Sequence, residues 1–149
     1  MKLCVVLDTS GSMAEGGKIF AALTMLKTLE QHFWIHQSQI DVELFSVNES
    51  VENIPWSDFS EIGSDPRGGF SLQAFLDTES SKSADHLLII SDCCWSSSDK
   101  RAFRRLGVTK SKTFARALVV GQEADIGCRS PEFEPAENLL ALLDEWIPC

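Results

Sequence analysis

Short apolar runs alternate with stretches of helical periodicity along most of the chain. Residues 2–7 form a continuous apolar run of the kind found in the middle of a parallel sheet, where both faces are covered. Apolar positions at helical spacing then predict a first helix over residues 18–34. Residues 41–47 predict a second strand, and residues 51–54 predict a poorer third strand that Pro55 stops.

The second half of the chain continues this alternation. A glycine-containing loop precedes a short helix, and residues 86–90 predict another buried strand. Ser98 or Asp99 is expected to cap a helix that Gly107 ends. The remaining segments are a strand over residues 115–120, a mostly irregular stretch over residues 122–135 and a last amphipathic helix over residues 139–146.

Strands that alternate with helices predict a Rossmann-like α/β fold. Such a fold is an open, mostly parallel sheet with right-handed crossovers and helices on both faces. We expect the poor strand before Pro55 to form an antiparallel edge. The length of 149 residues is that of one ordinary globular domain, so a single compact domain is predicted over residues 1–149.

Acidic and hydroxyl side chains follow two of the predicted core strands. Asp8, Ser10 and Ser12 come directly after the first strand, and Asp92 comes after the fourth. Ligands of open parallel sheets collect beyond the carboxyl ends of the strands, so these groups converge if the two strands are neighbours. Oxygen ligands of this kind suit Mg²⁺ or Mn²⁺ and leave positions that an Asp or Glu side chain of a partner can fill. Asp8 or Ser10 taken alone is better explained as a helix cap.

The segment Asp8-Thr9-Ser10-Gly11-Ser12-Met13 resembles the DxSxS motif of von Willebrand factor type A domains. Many members of that family carry a metal-ion-dependent adhesion site. In the family the motif supplies an aspartate and two serines to a divalent cation, and a second aspartate follows strand four. The resemblance therefore implies Mg²⁺ or Mn²⁺ held by Asp8, Ser10, Ser12 and Asp92. Because the chain is short after residue 120, it also implies a sheet trimmed to five strands in the order 3-2-1-4-5.

One departure from the family pattern affects the predicted ligand set. A threonine ligand usually follows the glycines of a later loop, but this chain has Phe70 after Gly68 and Gly69. Ser71 is the next residue and is a candidate replacement ligand. A type A scaffold with a degenerate metal site that no longer binds therefore stays open as an alternative.

The resemblance implies an interaction domain with no catalysis of its own. Small stand-alone members of the family often work with ATPases, kinases or other components of multi-protein systems, so we expect an adaptor that binds an acidic side chain of another protein. The enzymatic alternative is a haloacid dehalogenase-like phosphohydrolase with Asp8 as nucleophile. In that family a second aspartate acts as general acid, and Ser10 stands at its position here.

The charge balance narrows the classes of partner. Asp and Glu number 22 against 13 Lys and Arg, for a net charge of -9, which argues against nucleic acid or an anionic membrane as partner. No stretch approaches the roughly 20 apolar residues of a membrane span. The N-terminus also lacks the apolar core of a signal peptide. We therefore expect a cytoplasmic protein.

The cysteines and one tryptophan add smaller expectations. Five cysteines without a repeated CxxC spacing predict reduced thiols rather than a zinc site or a disulfide framework. They are Cys4, Cys93, Cys94, Cys128 and Cys149. Trp95 stands in a serine-rich loop beside Asp92, where an aromatic anchor for a partner and simple packing on the neighbouring helix are both open interpretations.

Overall fold

A mixed sheet runs through the centre of the protein. The computed structural model describes residues 1–36, 40–62, 66–121 and 132–147. Its strands are β1 (Lys2–Asp8), β2 (Asp41–Val47), β3 (Val51–Ile54), β4 (His86–Ser91), β5 (Ala115–Val119) and β6 (Phe133–Pro135). They lie in the order β3-β2-β1-β4-β5-β6, and only the β2–β3 pair is antiparallel. The predicted α/β class, the mostly parallel sheet and the antiparallel edge are confirmed.

The sheet has one strand more than predicted. β6 pairs in parallel with β5, and Ala117 N–H donates to Glu132 O at 2.8 Å. The expectation of five strands is therefore wrong. The stretch over residues 122–135 was expected to be mostly irregular; it ends in this strand, and its residues 122–131 lie outside the described chain. β6 has only three residues, which is too short to show an alternation of apolar and polar positions, and its proline is typical of a loop. Pro135 is tolerated because it ends an outer strand, as Pro55 follows the other one.

Helices and turns connect the strands on both sides of the sheet. The helices are α1 (Lys18–His36), α2 (Leu72–Leu76), α3 (Glu79–Ser83), α4 (Ser97–Thr109) and α5 (Leu139–Trp146). Short 3-10 segments cover Gly11–Ala14, Trp56–Glu61 and Ala136–Asn138. In the described part of the chain, none of these helices has the length and apolar character that crossing a membrane requires.

The boundaries of α4 differ from the predicted ones. Ser96, not Ser98 or Asp99, is the N-cap, because its hydroxyl accepts from Asp99 N–H at 3.2 Å. Asp99 instead accepts the N–H of Leu72 at 3.0 Å and so joins α4 to the start of α2. Gly107 lies inside the helix, which continues to Thr109. A glycine costs a helix only about 1 kcal/mol, which is too little to end it by itself.

Two apolar layers cover the two faces of the sheet. On β1, Leu3, Val5 and Leu7 pack toward α1 and α5, whereas Cys4 and Val6 pack into a cluster with aromatic side chains of α2 and α4. All five side chains are at most 1% exposed. This alternation on a strand covered on both faces explains the continuous apolar run in the sequence.

Candidate cation site at the carboxyl edge of the sheet

Two acidic residues lie at the carboxyl ends of neighbouring central strands. β1 and β4 are paired in parallel with Leu7 opposite Ile90, so Asp8 and Asp92 follow the same edge of the sheet. Both carboxylates are buried, at 0% and 2% exposure, and Ser10 is only 4% exposed. The structure thus brings together residues that are far apart in the sequence.

The Asp8 carboxylate is held on both oxygens. Oδ1 accepts from Ser10 N–H at 2.8 Å, and Oδ2 accepts from the Ser91 hydroxyl. Burial raises the pKa of Asp8, and the nearby Asp92 charge adds to this, while the bonds from Ser10 and Ser91 oppose it. The net effect is a raised pKa of Asp8, so the surrounding hydrogen bonds do not fully compensate for the burial of its negative charge.

The two serine hydroxyls of the DxSxS segment lie next to each other. Ser10 Oγ and Ser12 Oγ are 3.3 Å apart. Adjacent oxygen ligands of an octahedral Mg²⁺ are about 3.0 Å apart when each lies about 2.1 Å from the ion. Ser12 also lies close enough to Asp92 for its hydroxyl to lower the pKa of that carboxyl.

Asp92 forms an ion pair with Lys18, which was not among the predicted site residues. Lys18 Nζ lies 3.1 Å from Asp92 Oδ2, and the two side chains are 10% and 3% exposed. Asp92 Oδ1 accepts from Cys94 N–H at 3.1 Å. Burial alone would raise the pKa of Asp92, but the Cys94, Ser12 and Lys18 interactions outweigh it and hold the pKa below its ordinary value. A lysine in the first turn of a helix interacts unfavourably with the helix dipole. This unusual position of Lys18 is the sequence signal that could have pointed to its ion pair.

Ser91 links the site to the aromatic layer beneath it. Its hydroxyl accepts from Cys93 N–H and from the Trp95 indole N–H, each at 2.9 Å, and donates to Asp8. With two bonds accepted, the hydroxyl proton is directed to the carboxylate. Sequence reasoning missed this role because serine before the aspartate has no distinctive pattern.

The two residues at the expected threonine position have other contacts. The Ser71 hydroxyl accepts from Ala74 N–H at 3.3 Å and caps α2. The Phe70 ring stacks on Trp95, with centroids 5.1 Å apart. Trp95 is 6% exposed and packs edge-on against Phe103 of α4, so packing rather than an exposed anchor is its arrangement.

Three of the cysteines lie in the described residues, and two of them directly follow Asp92. Cys4, Cys93 and Cys94 form no disulfide, which agrees with the expectation for these three, whereas Cys128 and Cys149 lie outside the described residues. Cys93 directly follows Asp92 and adopts a φ of 59°. A left-handed backbone is costly for a residue with a Cβ, and the two bonds around Ser91 fix it there.

The donor set fits a hard divalent cation that is only partly coordinated by the protein. Within the described ranges, no three His, Cys, Asp or Glu side chains lie close enough together to hold a metal ion. Two carboxylates and two hydroxyls remain, and oxygen donors of this kind suit Mg²⁺ and Mn²⁺. A site of this composition depends on water or an external group for the rest of its coordination.

Comparison with known proteins identifies the fold and nothing finer. No protein-family model matches the chain, and none of the curated proteins matches its sequence. Among solved structures, it is similar to a crystal structure of an aerotolerance-related membrane protein from Bacteroides fragilis NCTC 9343 with multiple mutations to serines. The two are 14% identical, the match covers 81% of this chain and 68% of that one, and the TM-score is 0.59. The fold is therefore a von Willebrand type A-like α/β fold.

Proposed function

We propose that this domain binds another protein through a divalent cation, Mg²⁺ or Mn²⁺, at the carboxyl ends of β1 and β4. The observation that carries the proposal is the burial of Asp8 and Asp92 beside the Ser10 and Ser12 hydroxyls at one edge of the sheet. These four residues are the proposed ligands, some of them through water. Ser71 is a fifth candidate, and its cap bond to α2 makes it the weakest.

Formal charge supports an acidic group as the recognised feature of the partner. Two carboxylates and the Lys18 ammonium leave the site with one negative charge, which repels an approaching acid. A divalent cation reverses that sign and offers vacant coordination positions. An Asp or Glu side chain of the partner then completes the coordination of the ion, so the metal binds first and the partner second.

The type A-like fold supports an adaptor role for the domain. We propose a protein of a cytoplasmic multi-component system as the partner, with an ATPase or a kinase as the first candidates. The net charge of -9 disfavours nucleic acid and anionic membranes as binding surfaces.

A binding role without catalysis agrees with the bonding of Asp8. Both of its carboxylate oxygens accept hydrogen bonds, and the next acid-bearing position of a phosphohydrolase is occupied by Ser10, which is a poor proton donor. The degenerate-site alternative has its own supporting observation, because the Phe70 ring lies against Trp95 where the family has a threonine.

Calorimetric titration with MgCl₂ and with MnCl₂ tests the proposal. We expect saturable binding to the wild type, loss of binding in Asp8→Ala and unchanged binding in Asp144→Ala, which removes an exposed carboxylate of α5. Circular dichroism checks that each variant is folded. Absence of heat at millimolar metal would favour the degenerate scaffold, and hydrolysis of p-nitrophenyl phosphate that Asp8→Asn abolishes would favour the phosphohydrolase.

A further inference from the structure

A polar cavity of about 400 Å³ opens beside the candidate cation site. Thr9, which stands between Asp8 and Ser10 in the chain, contributes to its wall, and so does Ser46 of β2. Ser46 is level with Leu7 on β1, a residue of the apolar layer toward α1, so the cavity lies on that face of the sheet. Its volume is within the range of about 300–1,000 Å³ that is usual for ligand pockets.

Two nearly buried hydroxyl side chains line the cavity without a partner. Thr9 is 7% exposed and Ser46 is 9% exposed. In the ranges that the structure describes, neither side-chain hydroxyl makes a hydrogen bond, although the Thr9 backbone bonds to Val47 and Arg67. Neither oxygen is enclosed by protein, so both hydroxyls are open to the cavity and can bond a polar group that binds there.

Three exposed acidic residues line the same cavity. Glu52 of β3 is the cross-strand neighbour of Ser46, so both side chains are on the same face. Asp58 and Glu61 come from the 3-10 segment that follows β3 and complete the acidic wall. Among the described lining residues there is no Lys, Arg or His. A ligand with positive charge is therefore favoured over a neutral or an anionic one.

The three carboxylates do not converge on one point, since no group of three acidic, His or Cys side chains in the described chain is close enough to hold a metal ion. A larger cation with several N–H donors matches the spacing better. Ile54 and Ile62 supply apolar wall that an alkyl stem can contact.

We propose that this cavity binds the ammonium or guanidinium group of a Lys or Arg side chain. That this side chain belongs to the partner rests on the proposed function, in which the neighbouring divalent cation binds an acidic residue of the same partner. A recognised segment would then carry one acidic and one basic residue close together. The cavity itself requires no metal to bind its ligand.

Amide-detected NMR titration tests this assignment with three probes: N-acetyl-arginine amide, N-acetyl-citrulline amide, which is the neutral isostere, and spermidine, a free polyamine. The titrations are made in EDTA, so that a failure of the metal proposal leaves the result readable. We expect the arginine probe to shift the amides of Thr9, Ser46 and Glu52, and the citrulline probe to bind at least about tenfold more weakly.

Matched variants locate the binding. Glu52→Gln and Asp58→Asn should each weaken the arginine probe severalfold, whereas Asp144→Asn on α5 removes the same charge far from the cavity and should leave it unchanged. Equal binding of arginine and citrulline probes, or no shifts at these amides, would overturn the proposal. Tighter binding of spermidine than of the arginine probe would overturn the assignment to a protein side chain.

Discussion

Lys18 Nζ lies 3.1 Å from Asp92 Oδ2, and both side chains are almost fully buried. Burial alone would lower the pKa of Lys18, but its bond with Asp92 outweighs this and raises the pKa. The ammonium is therefore charged at neutral pH, directly against an oxygen of a proposed metal ligand. A divalent cation that coordinates Asp92 must compete with this ion pair.

Replacement of the lysine should strengthen metal binding. In Lys18→Met the competing charge is gone, and we expect the affinity for Mg²⁺ and Mn²⁺ to rise about tenfold, which corresponds to about 1.4 kcal/mol. Without metal the same variant should be less stable, because Asp92 loses a charged hydrogen-bond partner worth about 1.5–3 kcal/mol. Calorimetry measures the first effect, and urea denaturation in EDTA measures the second.

Lys27→Met is the matched control, since it removes an exposed lysine of the same helix. It should alter neither quantity beyond a small general charge effect. Weaker metal binding in Lys18→Met would show that the lysine supports the site and does not compete with the metal.

Loss of the Ser91 hydroxyl should destabilise the domain with or without metal. Ser91→Ala removes the acceptor of Cys93 N–H and of the Trp95 indole, and it removes a donor to Asp8. Buried groups left without partners cost about 1–3 kcal/mol each, and partial relaxation leaves an expected total of about 2–4 kcal/mol. Chemical denaturation gives the value. Ser111→Ala, at an exposed serine, should change stability by less than about 0.5 kcal/mol, and an equally small effect in Ser91→Ala would contradict the described network.

The Ser71 hydroxyl should matter more as a helix cap than as a metal ligand. We expect Ser71→Ala to lose about 1 kcal/mol of stability, because Ala74 N–H loses its acceptor, and to keep its metal affinity. Thr78→Ala is the paired control, since it removes the equivalent cap of α3. Denaturation and calorimetry are compared for both variants. A drop in metal affinity in Ser71→Ala alone would make Ser71 a ligand.

Acid should weaken the packing of His86. Its ring stacks on Trp146 with centroids 4.7 Å apart, and burial lowers the pKa of His86 below its ordinary value of 6.5 despite a bond to the Thr113 carbonyl. The unfolded chain therefore takes up this proton at a higher pH than the folded chain does. Stability contributed by the neutral ring is present above about pH 6.5 and falls as the pH drops toward the folded pKa.

His86→Phe keeps an aromatic ring against Trp146 but cannot be protonated. We expect its free energy of unfolding to vary less between pH 7 and pH 5 than that of the wild type, as measured by denaturation at several pH values. Parallel pH profiles for the two proteins would mean that His86 does not titrate in this window.

The elements with long periodic patterns could be predicted from sequence, and the short ones could not. β1 and α1 carry uninterrupted signals, and the structure has them almost where they were expected. β6 has three residues and a proline, so only its pairing with β5 reveals it. The end of α4 also depends on packing, which outweighs the weak helix preference of Gly107.

For the site, topology was predictable and side-chain partners were not. Asp8 and Asp92 could be brought together by reasoning because parallel neighbouring strands end at one edge of a sheet. The pairing of Lys18 with Asp92 depends on where α1 begins relative to β4, and the bonds of Ser91 depend on how the following loop folds back. Neither has a signature in the order of residues.

The prolines at the two margins of the sheet affect how this domain meets other molecules. β3 runs directly into Pro55, and β6 has Pro135 as its last residue. Neither edge strand is long and regular enough for another chain to add a strand to it. Long exposed edge strands promote aggregation and strand exchange between copies. Recognition by addition of a partner strand to the sheet is thereby disfavoured, and selectivity then depends on the side chains gathered where the strands terminate.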